Sequence, residues 1–173
     1  MNLDELSRNL AALHKTRWGR EPEVVAFAPG RAEVLGNHTD YNLGTVLSTA
    51  VDMGHCFSVS RNNGEGLRLL AGDLGEAVPF SLDSVGPVAE APWASYVKGV
   101  FYNLAGRGIP VDNLDCSFLG NIPVGSGLSS SAALEVSAAF AAMELYGTRL
   151  DEKETAKLCR DAESRFAGCN CGL

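Results

Sequence analysis

The segment from Leu119 to Ala133 constrains this chain most, because it joins an apolar stretch to an alanine-rich stretch through a glycine-bearing loop. It reads Leu-Gly-Asn-Ile-Pro-Val-Gly-Ser-Gly-Leu-Ser-Ser-Ser-Ala-Ala. Glycines let a backbone approach a ligand closely, and free N–H groups at a helix start attract anions. No Lys follows the glycines as in a Walker loop, and Ser130 replaces the third Gly of a dinucleotide fingerprint. The segment predicts either a phosphate site of another kind or a glycine turn with a serine N-cap.

Hydrophobic periodicity predicts an α+β chain organised as one continuous unit. The predicted helices cover residues 3–17, 93–104, 129–146 and 151–166. The predicted strands cover residues 24–28, 44–52, 55–61, 67–70 and 114–119, with one more edge strand inside 71–92. Because Gly and Pro commonly end strands, we expect the first strand to stop at Pro29-Gly30 and a turn at Met53-Gly54 to separate the next two.

The charge balance excludes several classes of partner. The 173 residues include 14 Lys and Arg against 21 Asp and Glu, a net charge of −7, which argues against binding nucleic acid or an anionic membrane. No apolar run approaches the roughly 20 residues of a membrane span, and the acidic start of the chain is unlike a signal peptide. The odd number of cysteines indicates reduced thiols in a cytoplasmic protein. Cys169 and Cys171 lack the spacing of a zinc site.

Polar side chains crowd a second stretch, from Pro29 to Gly44, after a predicted buried strand. An Arg such as Arg31 stabilises phosphoryl charge, and Asn, His and Asp side chains in one turn bracket the hydroxyls of a polyol. The stretch predicts a ligand site, with a solvated polar loop as the alternative. Glu163, on the last predicted helix, is by itself no more than a helix carboxylate with an ordinary ion-pair partner.

Taken together, these segments resemble the galactokinases, a group of the GHMP small-molecule kinases. Residues 29–44 resemble the signature PGRxNxIGEHTDYxxG, residues 123–133 resemble the phosphate loop, and residues 162–172 resemble the stretch around a metal-binding Glu. The family's WxxYxxG helix is matched by Trp93, Tyr96 and Gly99. The matching segments occur in the family's order from about residue 3 to the end.

The resemblance implies a fold and a reaction. The fold is the N-terminal domain of GHMP kinases, a mixed or antiparallel sheet with helices packed on it and the phosphate loop between a strand and a helix. The reaction is phosphoryl transfer from MgATP to the anomeric hydroxyl of galactose or a related sugar. The ATP-binding residues implied are Gly125, Ser126, Gly127, Leu128, Ser129, Ser130 and Ser131.

The resemblance also assigns roles to other positions. Ser131 and Glu163 would hold Mg²⁺, and Arg31 would stabilise charge at the attacking hydroxyl. The sugar would be lined by Asn37, His38, Thr39 and Asp40, with Asp40 accepting from vicinal hydroxyls. Trp93 and Tyr96 would lie beside the adenine or in the core.

Three positions depart from the family pattern and leave the sugar open. Glu33 stands where the family has Asn, Asn37 where it has Glu, and Ser48 where it has Pro. Losing a carboxylate at position 37 removes a charged acceptor from the expected sugar site. A kinase for a different sugar, and a galactokinase-like sensor that binds ATP and galactose to signal to a transcription regulator, are therefore alternatives.

The family pattern also bears on the C-terminal end. An Asp that acts on the sugar hydroxyl would fall two residues beyond Leu173. We therefore expect residues 1–173 to be an N-terminal kinase domain truncated near its end, without the C-terminal domain and inactive alone. We also expect self-association through the surface that truncation exposes.

Overall fold

A five-stranded mixed sheet with helices on both faces organises the chain in a computed structural model, which describes residues 1–36 and 44–169. The helices are α1 (Leu3–Trp18), α2 (Ala94–Ala105), α3 (Ser130–Leu145) and α4 (Glu152–Ala162), and a π-helical turn (Glu163–Ala167) continues α4. The strands are β1 (Val24–Leu35), β2 (Leu47–Arg61), β3 (Leu67–Ala71), β4 (Glu76–Phe80) and β5 (Leu114–Gly120). Within the described ranges, no helix has both the length and the apolar character needed to cross a membrane.

The strand order is β1-β2-β5-β3-β4. β3 and β5 are parallel neighbours, and the other neighbouring strands are antiparallel. This order places the end of β5, and therefore the start of the loop that follows it, beside the middle of β2. The α+β class and the mixed sheet with packed helices are confirmed.

Alternation along β5 builds two cores, because successive side chains of a strand point to opposite faces. Cys116 and Phe118 join the large core under α2, α3 and α4. Leu119 packs instead with Leu6 and Leu10 of α1 on the other face. The sheet is thus a rigid layer between α1 and the helices that lead to the candidate site.

Two strand boundaries expected from the sequence are wrong. β1 continues through Pro29-Gly30 to Leu35 with a register shift, and β2 runs without a break through Met53-Gly54. Neither Gly30 nor Gly54 has a positive φ. A Cβ on Gly30 would lie 2.5 Å from the carbonyl oxygen of Leu128, and a Cβ on Gly54 would overlap the carbonyl oxygen of Ala28. These glycines permit close packing of the backbone and do not turn the chain.

A polar cluster lies beneath α1. His14 is fully buried, with Nδ1 3.0 Å from Ser58 Oγ and Nε2 2.9 Å from Ser60 Oγ. Burial lowers the pKa of His14 to about 4, so the ring is neutral at pH 7. Its partners lie on the face of β2 that packs against α1.

Candidate functional site

The loop between β5 and α3 alternates left-handed and ordinary backbone conformations. Gly125, Gly127 and Ser129 have positive φ values of 73°, 71° and 57°, whereas Ser126 and Leu128 do not. An alternation of left-handed and ordinary residues is the backbone pattern of concave anion sites that are built from successive N–H groups. The predicted strand-to-helix loop is confirmed, and the convergence of its N–H groups on one point stays a prediction.

Two strands anchor this loop. The Arg31 N–H donates to the Leu128 carbonyl at 3.0 Å. At the other end, the Asn121 N–H donates to the Gly54 carbonyl at 3.1 Å, and the Gly54 N–H donates to Asn121 Oδ1 at 2.8 Å. The loop is thereby tied to β1 and β2, which explains why both strands need a glycine there.

Ser131 and Glu163 meet in the structure, although they are 32 residues apart in the sequence. The Ser131 hydroxyl donates to Glu163 Oε1 at 2.7 Å. Ser131 lies in the first turn of α3, and the largely buried Glu163 begins the π-helical turn. Such turns occur frequently at functional sites. The predicted juxtaposition is confirmed, and a metal ion between them stays a prediction.

The WxxYxxG helix supports the π-helical turn from behind. A Cβ on Gly99 would lie 2.9 Å from both Ala162 Cβ and Phe166 Cδ2. The glycine of α2 therefore lets the junction of α4 and the π-helical turn approach closely. This contact holds Glu163 at the start of α3.

The donor set at this contact fits Mg²⁺. That ion takes oxygen ligands, keeps several waters, and is usually held by one or two carboxylates together with substrate phosphates. Ser131 and Glu163 offer a hydroxyl and a carboxylate side by side. Among the described residues no group of three or more His, Cys, Asp and Glu side chains forms a cation cage. The pair supplies two of the oxygen ligands that such an ion takes.

Arg31 lines a cavity next to the contact of Ser131 with Glu163. This cavity of about 220 Å³ is lined by Arg31, Ser131, Glu135 and Glu163 among others. Arg31 Nη2 is 3.8 Å from Glu33 Oε2, and its side chain is 44% exposed. An ion pair this long and exposed holds an Arg weakly, so the guanidinium is available to an anionic ligand.

Glu135 is a site residue that the sequence analysis missed. Its side chain is buried on α3, one turn after Ser131, and Oε1 has no hydrogen-bond partner among the described residues. Burial, and secondarily the negative charge of Glu163, raise the pKa of Glu135 to about 9. Glu135 is therefore a neutral carboxylic acid at pH 7. An acidic residue in the alanine-rich run was the available signal.

Glu135→Gln is expected to make stability less dependent on pH. A carboxyl group whose pKa is higher in the folded chain than in the unfolded chain contributes its full stabilisation of the fold below about pH 4.5. That contribution is lost as the pH rises toward about 9. The unsubstituted chain should lose stability between pH 5 and 8, and Glu135→Gln should be more stable than it at pH 8 by at least about 1 kcal/mol. Urea unfolding at both pH values measures this.

Glu144→Gln on the same helix is the matched control, because Glu144 is exposed. It should follow the pH dependence of the unsubstituted chain. An equal stability of Glu135→Gln and the unsubstituted chain at pH 8 would contradict the assignment of a neutral carboxyl.

A second cavity, of about 600 Å³, lies on the other side of the α3 start. Its walls include Trp93, Tyr96, Ser130 and Ser131. Trp93 also packs against Phe118, with ring centroids 5.8 Å apart. The two aromatic residues therefore line a cavity and contact the core at once, so the alternatives expected from the sequence do not exclude each other.

Some predicted site residues lie outside the described residues. These are the sugar-site residues Asn37, His38, Thr39 and Asp40. Cys171, which together with Cys169 lacks the spacing of a zinc site, also lies outside the described residues. The described neighbours of the sugar stretch are Arg31 and Glu33, at the end of β1.

Comparisons with known proteins agree with this geometry. Residues 95–173 match the family GHMP kinases N terminal domain, and residues 12–61 match the Galactokinase galactose-binding signature. Galactokinase of Lactococcus lactis, solved in complex with galactose, is 28% identical over 98% of this chain and 44% of that chain, with a TM-score of 0.79.

Two other kinases share the fold at lower identity. Mevalonate kinase of Methanococcus jannaschii is 20% identical over 82% of this chain and 46% of that chain, with a TM-score of 0.72. D-glycero-D-manno-heptose 1-phosphate kinase from Bacteriodes thetaiotaomicron is 19% identical over 81% and 47%, with a TM-score of 0.68. The chain spans less than half the length of each of these three structures. Its loop, its helix order and both family matches show that the chain has the fold of the GHMP kinase N-terminal domain and matches the galactokinase galactose-binding signature.

Proposed function

We propose that this chain is the nucleotide-binding part of a sugar kinase, which transfers the γ-phosphoryl group of MgATP to the anomeric hydroxyl of galactose or a related sugar. The observation that carries the proposal is the contact between Ser131 and Glu163 at the end of the phosphate loop. A hydroxyl and a carboxylate at a helix start beside an Arg are the groups that phosphoryl transfer needs, since its catalysis is mostly positioning and charge stabilisation.

Each group has a distinct task in this proposal. The N–H groups from Gly125 to Ser131 bind the phosphates, and Ser131 and Glu163 hold Mg²⁺. The ion, when bound, would neutralise charge on the bridging phosphate oxygens. Arg31, which lines the same cavity, stabilises the negative charge that develops where the sugar hydroxyl attacks. Trp93 and Tyr96 cover the adenine in the larger cavity.

Galactose, or a sugar like it, is the proposed acceptor. The support is the match of residues 12–61 to the galactose-binding signature and the 28% identity to a galactokinase solved with galactose. Within that match, Asn37, His38, Thr39 and Asp40 would contact the sugar. The exchange that puts Glu at position 33 and Asn at position 37 leaves the number of carboxylates in the stretch unchanged but moves one of them onto β1, which favours testing related sugars as well.

The proposal also includes the cellular location of the chain and its self-association. Cys56, Cys116 and Cys159 are buried free thiols, which supports a cytoplasmic location. The end of β1 and the start of β2 expose three large apolar side chains, those of Val34, Leu35 and Leu47. We propose that the chain self-associates through this surface.

A coupled assay for ADP release tests the proposal. It compares the 173-residue chain with the chain extended to its natural terminus, using galactose and a panel of hexoses, N-acetylhexosamines and pentoses. We expect turnover by the extended chain and none by the 173-residue chain, because the Asp that would act on the sugar hydroxyl is expected beyond Leu173.

Two other outcomes of this assay would each contradict one part of the proposal. Turnover by the 173-residue chain at a rate near that of the extended chain would contradict its proposed inactivity. Binding of ATP and galactose by the extended chain without turnover of any sugar would replace the kinase with the sensor.

A further inference from the structure

A second polar contact reaches the start of α3 from the sheet, independently of the pair formed by Ser131 and Glu163. His55 of β2 is 7% exposed, and its Nε2 lies 2.8 Å from Ser130 Oγ. The ring packs edge-on against Phe118, with centroids 5.9 Å apart. A Cβ on Gly120 would lie 2.5 Å from His55 Nδ1, so the ring occupies the space that this glycine leaves. The imidazole is therefore held in one position.

The surroundings of the ring decide which nitrogen carries the proton. Burial lowers the pKa of His55, and the negative charge of Asp73, the charged group near it, opposes this only in part. The ring is thus neutral at pH 7, with one N–H. Nδ1 is buried and has no hydrogen-bond partner among the described residues. Because orphaned buried N–H groups are rare, the proton belongs on Nε2, which donates to Ser130 Oγ.

This tautomer determines what the Ser130 hydroxyl does. A serine hydroxyl has one proton to donate, and here its oxygen already accepts from His55. Among the described residues, no acceptor is in hydrogen-bond contact with that proton. Ser130 is the first residue of α3 and lines the 600 Å³ cavity together with Ser131. Its proton is therefore available to a ligand in that cavity.

We propose that His55 is a positioning residue for nucleotide binding: its Nε2–H holds the Ser130 hydroxyl so that the serine proton points into the cavity and donates to a phosphate oxygen. The inference rests on the proposed function, because it requires a phosphate at the start of α3. His55 also lines this cavity, and the proposal assigns it no direct contact with the nucleotide. Its effect passes through one hydroxyl.

Nitrogen-15 NMR of the imidazole rings tests the tautomer without any ligand. The chain has three histidines, and His55→Gln assigns the signal of His55. We expect a protonated Nε2 and an unprotonated Nδ1 at pH 7. A proton on Nδ1 would overturn the inference, whatever the chain binds.

Two substitutions test the effect on binding. His55→Gln keeps an amide N–H near the position of Nε2, whereas His55→Met keeps the bulk and loses the donor. With MgATP as the probe in isothermal titration calorimetry, we expect the dissociation constant to rise by less than about twofold for His55→Gln. For His55→Met we expect a rise of about fivefold to tenfold, the effect of one neutral hydrogen bond.

His14→Gln is the matched control. His14 is also a buried histidine bonded to serine hydroxyls of β2, but on the face beneath α1. It should lower the melting temperature and leave the affinity for MgATP unchanged. In a Ser130→Ala background, His55→Met should weaken binding no further, because the hydroxyl that His55 positions is gone.

The outcomes separate this inference from the proposed function. If MgATP binds but His55→Met binds it as tightly as the unsubstituted chain, or if His55→Gln is as weak as His55→Met, the positioning role is wrong and the proposed function stands. If the unsubstituted chain does not bind MgATP, the nucleotide site itself is wrong, and this inference is overturned with it.

Discussion

Gly54→Ala is expected to destabilise the chain by about 3 kcal/mol or more, a large share of the stability of a small domain. The added Cβ would overlap the Ala28 carbonyl oxygen of the paired strand and lie 2.6 Å from Phe27 Cε2. The Ala28 carbonyl group belongs to the backbone of β1 and cannot move without separating β1 from β2. The backbone of Gly54 also exchanges two hydrogen bonds with Asn121, so the phosphate loop should be displaced as well.

Urea unfolding measures this effect against Gly106→Ala. Gly106 follows the last residue of α2 and has a φ of −61°. A Cβ there would lie 3.6 Å from the carbonyl oxygens of Asn103 and Tyr102, which is an ordinary contact distance. That substitution should be neutral or slightly stabilising, because it reduces the entropy of the unfolded chain. A Gly54→Ala chain within about 0.5 kcal/mol of the unsubstituted chain would show that the β1–β2 contact adjusts easily.

In the proposed sugar kinase that contains this chain, Glu163→Gln is expected to lower kcat by about 100-fold or more and to raise the Mg²⁺ concentration that gives half-maximal activity. Removing one electrostatic group that acts on developing charge has effects of this order. Gln retains an oxygen that accepts the hydrogen bond from Ser131, so the fold around it should persist. Steady-state kinetics over a range of Mg²⁺ concentrations measures both effects, with the melting temperature as the check on folding.

Asp161→Asn is the control for Glu163→Gln. Asp161 precedes Glu163 by two residues but is about half exposed, and it pairs with Arg165 at 3.0 Å on the surface. Such a pair contributes about 0–1 kcal/mol, and we expect kcat and the Mg²⁺ dependence to be unchanged. If Glu163→Gln also leaves the Mg²⁺ dependence unchanged, Glu163 does not hold the ion.

Local sequence signals predicted the elements that carry the site. The start of α4 is an example, because the helix is predicted to begin at Asp151, and the Asp151 carboxylate caps α4 by accepting from the Glu154 N–H at 2.8 Å. The loop after β5 is another, because the sequence predicts a glycine-bearing loop that leads into a helix at Ser129, and α3 begins at Ser130. The contact of Ser131 with Glu163 was predicted through a family pattern, and no local signal relates two residues 32 positions apart.

The same local signals failed where a glycine serves a distant neighbour. The sequence predicts strand ends at Gly30 and Gly54 because glycine commonly breaks strands, yet both residues lie inside strands. Their role depends on Leu128 and Ala28, whose carbonyl oxygens approach them in the folded chain. The neutral state of Glu135 and the hydrogen bond from His55 to Ser130 likewise depend on burial by other elements.

The sequence by itself determined the helices, most of the strands, and the place of the glycine-bearing loop between a strand and a helix, because propensity, capping and hydrophobic periodicity act over a few neighbouring residues. Only the tertiary structure decided which strands pass through their glycines, which carboxyl stays neutral, and which histidine reaches the start of α3. Close packing and desolvation are set by atoms that come together from distant parts of the chain, and a residue's type alone does not specify those neighbours.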